Sequence, residues 1–164
     1  MVNLEEAVVA RLKTHGENFE ILVDPDRAYD YRAGEEVAFN DILASEFIFK
    51  DASKALKASE EAMQDVFSTI VAKDIAKKIL DKGEIQVTTE KKREMVENKT
   101  KQLINVIARN AVNPQTGAPH PSERIKKALN EAKYHVDLSK KVNQQVDPAL
   151  KSIRPLIPIK FEKV

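Results

Sequence analysis

The chain has no cysteine among its 164 residues, which rules out disulfide bridges and thiolate metal sites alike. Its four glycines, Gly16, Gly34, Gly83 and Gly117, are too scattered to build a phosphate-cradling loop. There is no GxSxG elbow, and no apolar run approaches the roughly 20 residues that a membrane-spanning helix needs. The opening MVNLEEAVVARL carries acids where a secretory signal carries bases. His15, His120 and His135 lack metal-ligand spacing and are expected to be surface or loop residues. Glu35/Glu36 and Glu60/Glu61 are adjacent carboxylates, a pattern that solvation explains without acid–base catalysis. These absences predict a non-enzymatic intracellular protein with no cofactor, no metal and no membrane contact.

What is present is a chain 42% hydrophobic and 32% charged, long enough to bury a core in one domain or two. Its organisation turns on KKILDKGEIQVTTEKKR, residues 77–93. Just before and within it, Ile75, Ile79 and Leu80 recur at helical spacing, and the pattern stops at Gly83. Residues 84–87 then alternate polar and apolar, as a half-buried strand does. Thr88 or Thr89 can cap a long helix starting at Glu90. The stretch reads as a junction between a domain of residues 1–87 and a second of residues 88–157.

Charge changes sign at the same place. Residues 1–87 hold 11 Lys and Arg against 18 Asp and Glu, a net of −7, whereas residues 88–164 hold 16 against 8, a net of +8. Attraction to a polyanion is therefore expected mainly from the second unit.

In the first unit, residues 7–13 and 19–23 are strand candidates joined by a turn at His15-Gly16-Glu17, which predicts a hairpin. Asp24-Pro25-Asp26 is turn chemistry, and Tyr29-Asp30-Tyr31-Arg32 suits a further short strand. Phe39, Ile42 and Leu43 suit a short helix, and Phe47-Ile48-Phe49 a third strand before a polar loop holding Lys50, Lys54 and Lys57. Helices are expected over residues 60–67 and 71–80. Strands and helices without strict alternation point to an α+β domain. In the second unit, Met95, Val96, Leu103, Ile107 and Ala111 mark a helix that ends at the turn-rich NPQTGAPHP. Ser122 is expected to cap a second helix bearing Ile125, Ala128, Leu129 and Ala132. A third begins between Ser139 and Asp147 and carries Val146, Ala149, Leu150 and Ile153, with Asp147-Pro148 better suited to a helix start than an interior. This predicts an all-α three-helix bundle.

The basic residues open two readings. Lys91, Lys92 and Arg93 lie in the first turn of a predicted helix, where the macrodipole disfavours cations. They mark either a tolerated exposed helix end or a site that concentrates N–H groups and cations on a phosphate. Arg124, Lys126 and Lys127 lie partly off the apolar stripe of the second helix, which fits solvation or contact. Lys50, Lys54 and Lys57 surround a loop that solvent exposure alone would explain.

Four stretches in order, AVVARLKTHGENFEILV, FNDILASEFIFKDASKALKA, ILDKGEIQVTTEKK and VNPQTGAPHPSERIKKALNEA, resemble the Shwachman–Bodian–Diamond syndrome ribosome maturation protein family, most closely its archaeal forms. The resemblance runs from about Ala7 to the C-terminus. It implies an N-terminal α+β domain, a central three-helix domain and a ferredoxin-like third domain, of which residues 158–164 would be only the start. It further implies a cytoplasmic, monomeric, non-enzymatic adaptor that binds rRNA of the large ribosomal subunit. Such an adaptor works with an elongation-factor-like GTPase to evict an anti-association factor, so binding and eviction are expected to separate in a chain without the third domain. By the same resemblance Lys54 and Lys57 match a basic loop of the N-terminal domain, Arg11 and Lys13 its first strand, and Arg32 the arginine before its glycine turn. The acidic first unit departs from a generally basic face, so its RNA contacts are expected to be local clusters. Two other classes fit the residues: a general RNA-binding accessory protein in RNA processing, and a protein-interaction module without RNA contact.

Overall fold

The computed structural model describes residues 1–161. The chain divides into two compact units, one of residues 1–91 and one from Lys92 onward. In the first, β1 (Val8–Thr14) and β2 (Glu17–Val23) form the expected hairpin. Its turn residues His15 and Gly16 both take the left-handed conformation, with φ of 53° and 75°, which matches the right-handed twist of the flanking strands. Next come α1 (Pro25–Arg32), α2 (Phe39–Ile42), β3 (Phe49–Asp51), β4 (Leu56–Lys57), α3 (Glu60–Phe67), α4 (Ala72–Lys82) and β5 (Glu84–Ile85). The five strands make one antiparallel sheet in the order β4-β3-β2-β1-β5.

Side chains alternate across this sheet, and the helices cover one face of it. Ala10 of β1 and Phe19, Ile21 and Val23 of β2 are buried with Met63 and Phe67 of α3 and Ile75, Ile79 and Leu80 of α4. The Phe19 and Phe67 rings meet edge to face, 4.8 Å between centroids. Each such side chain contributes about 1.5–3 kcal/mol by leaving water. The intervening positions, Arg11 and Glu20, must then lie on the other face. Gly83 ends α4 as expected, but for a reason of space: a Cβ there would lie 2.5 Å from the Ile79 carbonyl oxygen and 2.7 Å from that of Arg11.

Two expectations for this unit are corrected. Tyr29–Arg32 is helical, not a strand, because Asp24 and Pro25 act as helix-start residues. The Asp24 carboxylate accepts the Arg27 N–H at 3.1 Å, and Pro25 occupies the first turn, where its missing N–H costs nothing. The third strand is Phe49–Asp51, later than expected, so Lys50 lies on β3 and Lys57 on β4, and only Lys54 lies in the connecting turn.

The division between units falls within α5 (Thr89–Asn110), which Thr88 caps by accepting the Lys91 N–H at 3.0 Å. The second unit continues with β6 (Ala111–Val112), α6 (Ser122–Glu131), α7 (Val142–Ile153) and β7 (Lys160–Phe161). Leu103, Ile104 and Ile107 of α5, Ile125 and Leu129 of α6, and Val146, Leu150 and Ile153 of α7 form its core. The unit is not purely helical: β6 and β7 pair antiparallel, Ala111 opposite Phe161. The apolar tail thus packs back on the helices, with Ile159 buried in their core. Of the expected segment 158–164, residues 162–164 lie outside the described residues.

Two further details of the second unit differ from expectation. Ser122 is the first helical residue and does not cap, the N-cap position being Pro121. Pro148 lies inside α7 rather than at its start; the helix begins at Val142, within the expected range of residues 139–147, where the Gln144 side chain accepts the Lys141 N–H at 3.3 Å. His120 is in a loop, as expected, and is buried there, its Nε2 2.7 Å from the Pro158 carbonyl; since a carbonyl only accepts, Nε2 carries the proton and donates.

Candidate nucleic-acid interface

On the helix-free face of the first sheet, register places one residue from each strand in a single transverse row: Glu84, Arg11, Glu20, Phe49 and Lys57. Arg11 Nε donates to Glu20 Oε2. The other carboxylate oxygen, Glu20 Oε1, accepts the Ala52 N–H at 2.7 Å. Glu20 is only 3% exposed, so both bonds are needed to offset the loss of its hydration. The row therefore ties the central hairpin to the start of the turn between β3 and β4.

That turn is built tightly. The Asp51 carboxylate accepts the Ser53 hydroxyl at 2.7 Å and the Lys54 N–H at 3.2 Å, and Ala55 takes a left-handed φ of 56°. The Ser53 hydroxyl, above all, holds the Asp51 carboxyl below its ordinary value, with the Lys54 N–H and charge acting in the same direction. The acid of this stretch is thus engaged by bonds within its own turn, while Lys50, Lys54 and Lys57 are exposed. Lys50 and Lys54 line a hollow of about 480 Å³ together with Gly16, Glu17 and Asn18 of the hairpin, Asp51 and Leu56. Lys57 Nζ stands 3.7 Å from the centroid of the Phe47 ring, a cation–π contact. Phe47 is 43% exposed and meets the buried Phe49 nearly perpendicularly, 6.3 Å between centroids.

The remaining basic residues fall into two groups. Lys13 on β1, Lys92 and Arg93 on α5, and Arg124, Lys126 and Lys127 on α6 lie at the surface. Lys126 also borders a groove of about 630 Å³ between α5 and α6, with Lys101 and Thr100 across from it. Arg11, Arg32 and Lys91 instead have internal partners. Arg32 donates to the Leu80 carbonyl at 2.9 Å and to the Gly83 carbonyl, closing the end of α4. Lys91 Nζ lies 3.2 Å from Asp26. The structure therefore brings Lys50, Lys54 and Lys57 together at one end of the sheet and gives Arg11 and Arg32 supporting positions within the fold.

Glu20 and Phe47 escaped the sequence reading. Alternation marks Glu20 as facing away from Phe19 and Ile21, but its burial depends on Ala52, distant in sequence. The Phe47-Ile48-Phe49 spacing did signal two rings on one side of a strand. Among the described residues every buried side-chain nitrogen and oxygen has a hydrogen-bond partner, so the polar groups available to a ligand are on the surface. No helix among the described residues is long and apolar enough to cross a membrane.

Residues 6–93 match the Shwachman-Bodian-Diamond syndrome (SBDS) N-terminal domain, and residues 101–162 match SBDS protein, domain II. The chain belongs to the SBDS family. It is 53% identical to a ribosome maturation protein SDO1 homolog of Methanothermobacter thermautotrophicus, over 100% of this chain and 71% of that protein. It is 37% identical to the SDO1 homolog of Aeropyrum pernix, over 99% of this chain and 70% of the relative. With the ribosome maturation protein SBDS of Homo sapiens it shares 28% identity, over 96% of this chain and 63% of the human protein.

Proposed function

We propose that this chain is a ribosome maturation factor that binds the large ribosomal subunit through its rRNA. In this reading it is a non-enzymatic cytoplasmic adaptor: an elongation-factor-like GTPase supplies the nucleotide chemistry, and together they release an anti-association factor so that subunits can join. The observation that carries the reading is 53% identity across the whole chain to a relative named a ribosome maturation protein. The lysines at the β3–β4 end of the sheet support it physically, since clustered exposed cations beside a rigid turn can meet phosphates without first ordering a loop. The surface bases of α5 and α6 add longer-range attraction.

Co-sedimentation with purified large subunits, set against naked RNA of similar length, tests the reading. A maturation factor should saturate the subunits at one copy each and prefer them to naked RNA. Equal affinity for both would favour a general RNA-binding role, and no association with either would remove the RNA contact altogether.

A further inference from the structure

We propose that Phe47 is a stacking platform for one unpaired nucleobase, with Lys57 placed for an adjacent phosphate. The inference rests on the RNA-binding reading and names the chemistry of its contact in the first unit. Phe47 is a large aromatic left 43% exposed at the end of a sheet face that carries no helix. Its neighbour Phe49 is 7% exposed and holds the ring in a near-perpendicular contact. Lys57 is fixed opposite Phe49 in the strand register and places its ammonium 3.7 Å from the Phe47 centroid. A ring with a cation on one side can still take a base on the other, and every base has a π-face to offer.

The charge along the β3–β4 edge of the sheet favours a polyanion, although the exposed Glu46 precedes the ring. Lys50, Lys54 and Lys57 are exposed within eight residues, while the carboxylate in that stretch, Asp51, is bonded to Ser53 and Lys54 of its own turn. An acidic peptide would satisfy the ammonium groups and leave the ring unused, whereas a single-stranded nucleotide uses both. A base in a duplex cannot reach such a platform, so the ligand is an unpaired or splayed nucleotide. Glu20 is a positioning residue for this site, since its bond to the Ala52 N–H sets where the turn begins.

The chain has no tryptophan, so Phe47→Trp installs a single indole reporter in the whole chain. The probes are a short single-stranded RNA of mixed sequence and heparin, a polyanion without bases. RNA should quench the indole emission and heparin should not. Phe47→Leu keeps an apolar side chain against Phe49 but no π-face; it should retain the folding midpoint and lose about tenfold in RNA affinity. RNA binding by the wild-type chain with unchanged indole emission in Phe47→Trp and full affinity in Phe47→Leu would overturn the stacking site while leaving the RNA-binding reading standing. Quenching by heparin and RNA alike would also overturn it, since charge alone would then move the ring. Failure of the wild-type chain to bind RNA or large subunits would overturn both.

Discussion

Glu20 and Ala52 are joined across the first sheet: the Glu20 carboxylate takes the Ala52 N–H at 2.7 Å with one oxygen and Arg11 with the other. Glu20→Ala removes both bonds and leaves a guanidinium and a backbone N–H without their partner. Because Arg11 keeps 38% of its side-chain surface in water, the loss is expected to be about 1–3 kcal/mol, less than breaking a fully buried pair costs. Glu20→Gln keeps a bond to Ala52 and should cost less. Urea unfolding checks the order; equal midpoints for wild type and Glu20→Ala would show that the row carries no stability.

Gly83 has a different kind of constraint. A methyl group there meets two backbone carbonyls at 2.5 and 2.7 Å, and neither the end of α4 nor strand β1 can move without disturbing the other. Gly83→Ala is therefore expected to destabilise the protein by about 1–3 kcal/mol or more, as overpacking does. The measurement is the thermal midpoint. A midpoint equal to that of Gly117→Ala, whose site has open space but a φ of +73°, would argue against the steric account.

Gln145 organises the loop between α6 and α7. It is 3% exposed, its carbonyl accepts the Asp137 N–H at 2.7 Å, and its amide donates to the carbonyls of Asp137 at 2.9 Å and Lys140 at 3.1 Å. Gln145→Leu fits the volume but strands these groups, which should cost about 2 kcal/mol. Hydrogen exchange at the Asp137 amide should accelerate at least tenfold by the same figure. An unchanged exchange rate would mean the loop is held by something else.

The Asp51 turn should respond to acid. Its carboxyl lies below the ordinary Asp value, chiefly through the Ser53 hydroxyl, so its contribution is present above about pH 4 and is lost as pH falls through the folded-state value. Ser53→Ala removes the leading cause and should move the Asp51 titration back up toward the ordinary value. Carboxyl chemical shifts against pH give the readout; identical titrations in the two proteins would show that the hydroxyl does not hold the carboxyl down.

In the second unit, Lys92 and Arg93 lie at the surface near the start of α5. Reversing both should lower RNA affinity and flatten its dependence on salt, by about 0.7 in slope for each single-strand phosphate that is no longer neutralised. An unchanged slope would show that neither meets a phosphate.

Much of this fold can be read from the residues, and the exceptions share a cause. The hairpin, α3, α4 and the stripes of α5, α6 and α7 follow from periodicity because each buries one regular face. Tyr29–Arg32 misled because its alternation competed with the capping signal of Asp24-Pro25 just before it, and the cap prevailed. Pro148 misled because its local preference for a helix start yielded to the packing of Val146, Ala149 and Leu150 on either side of it. The lysines of the site were visible as a cluster, but which basic residues are tied to partners within the fold was not. Arg32 reaches carbonyls at Leu80 and Gly83, and Arg11 a carboxylate on the neighbouring strand. Those pairings exist only once the chain has folded.

The most direct test is the affinity of the whole chain for purified large ribosomal subunits with Lys54 and Lys57 both reversed to Glu, at fixed physiological salt. Both side chains are exposed, so the folding midpoint should hold. Subunit binding is predicted to fall tenfold or more, on the scale of about 1–3 kcal/mol for charge-assisted hydrogen bonds to phosphate. Unchanged binding by the folded double variant would contradict an RNA contact here, because the β3–β4 end of the sheet would then not be where the chain meets the subunit.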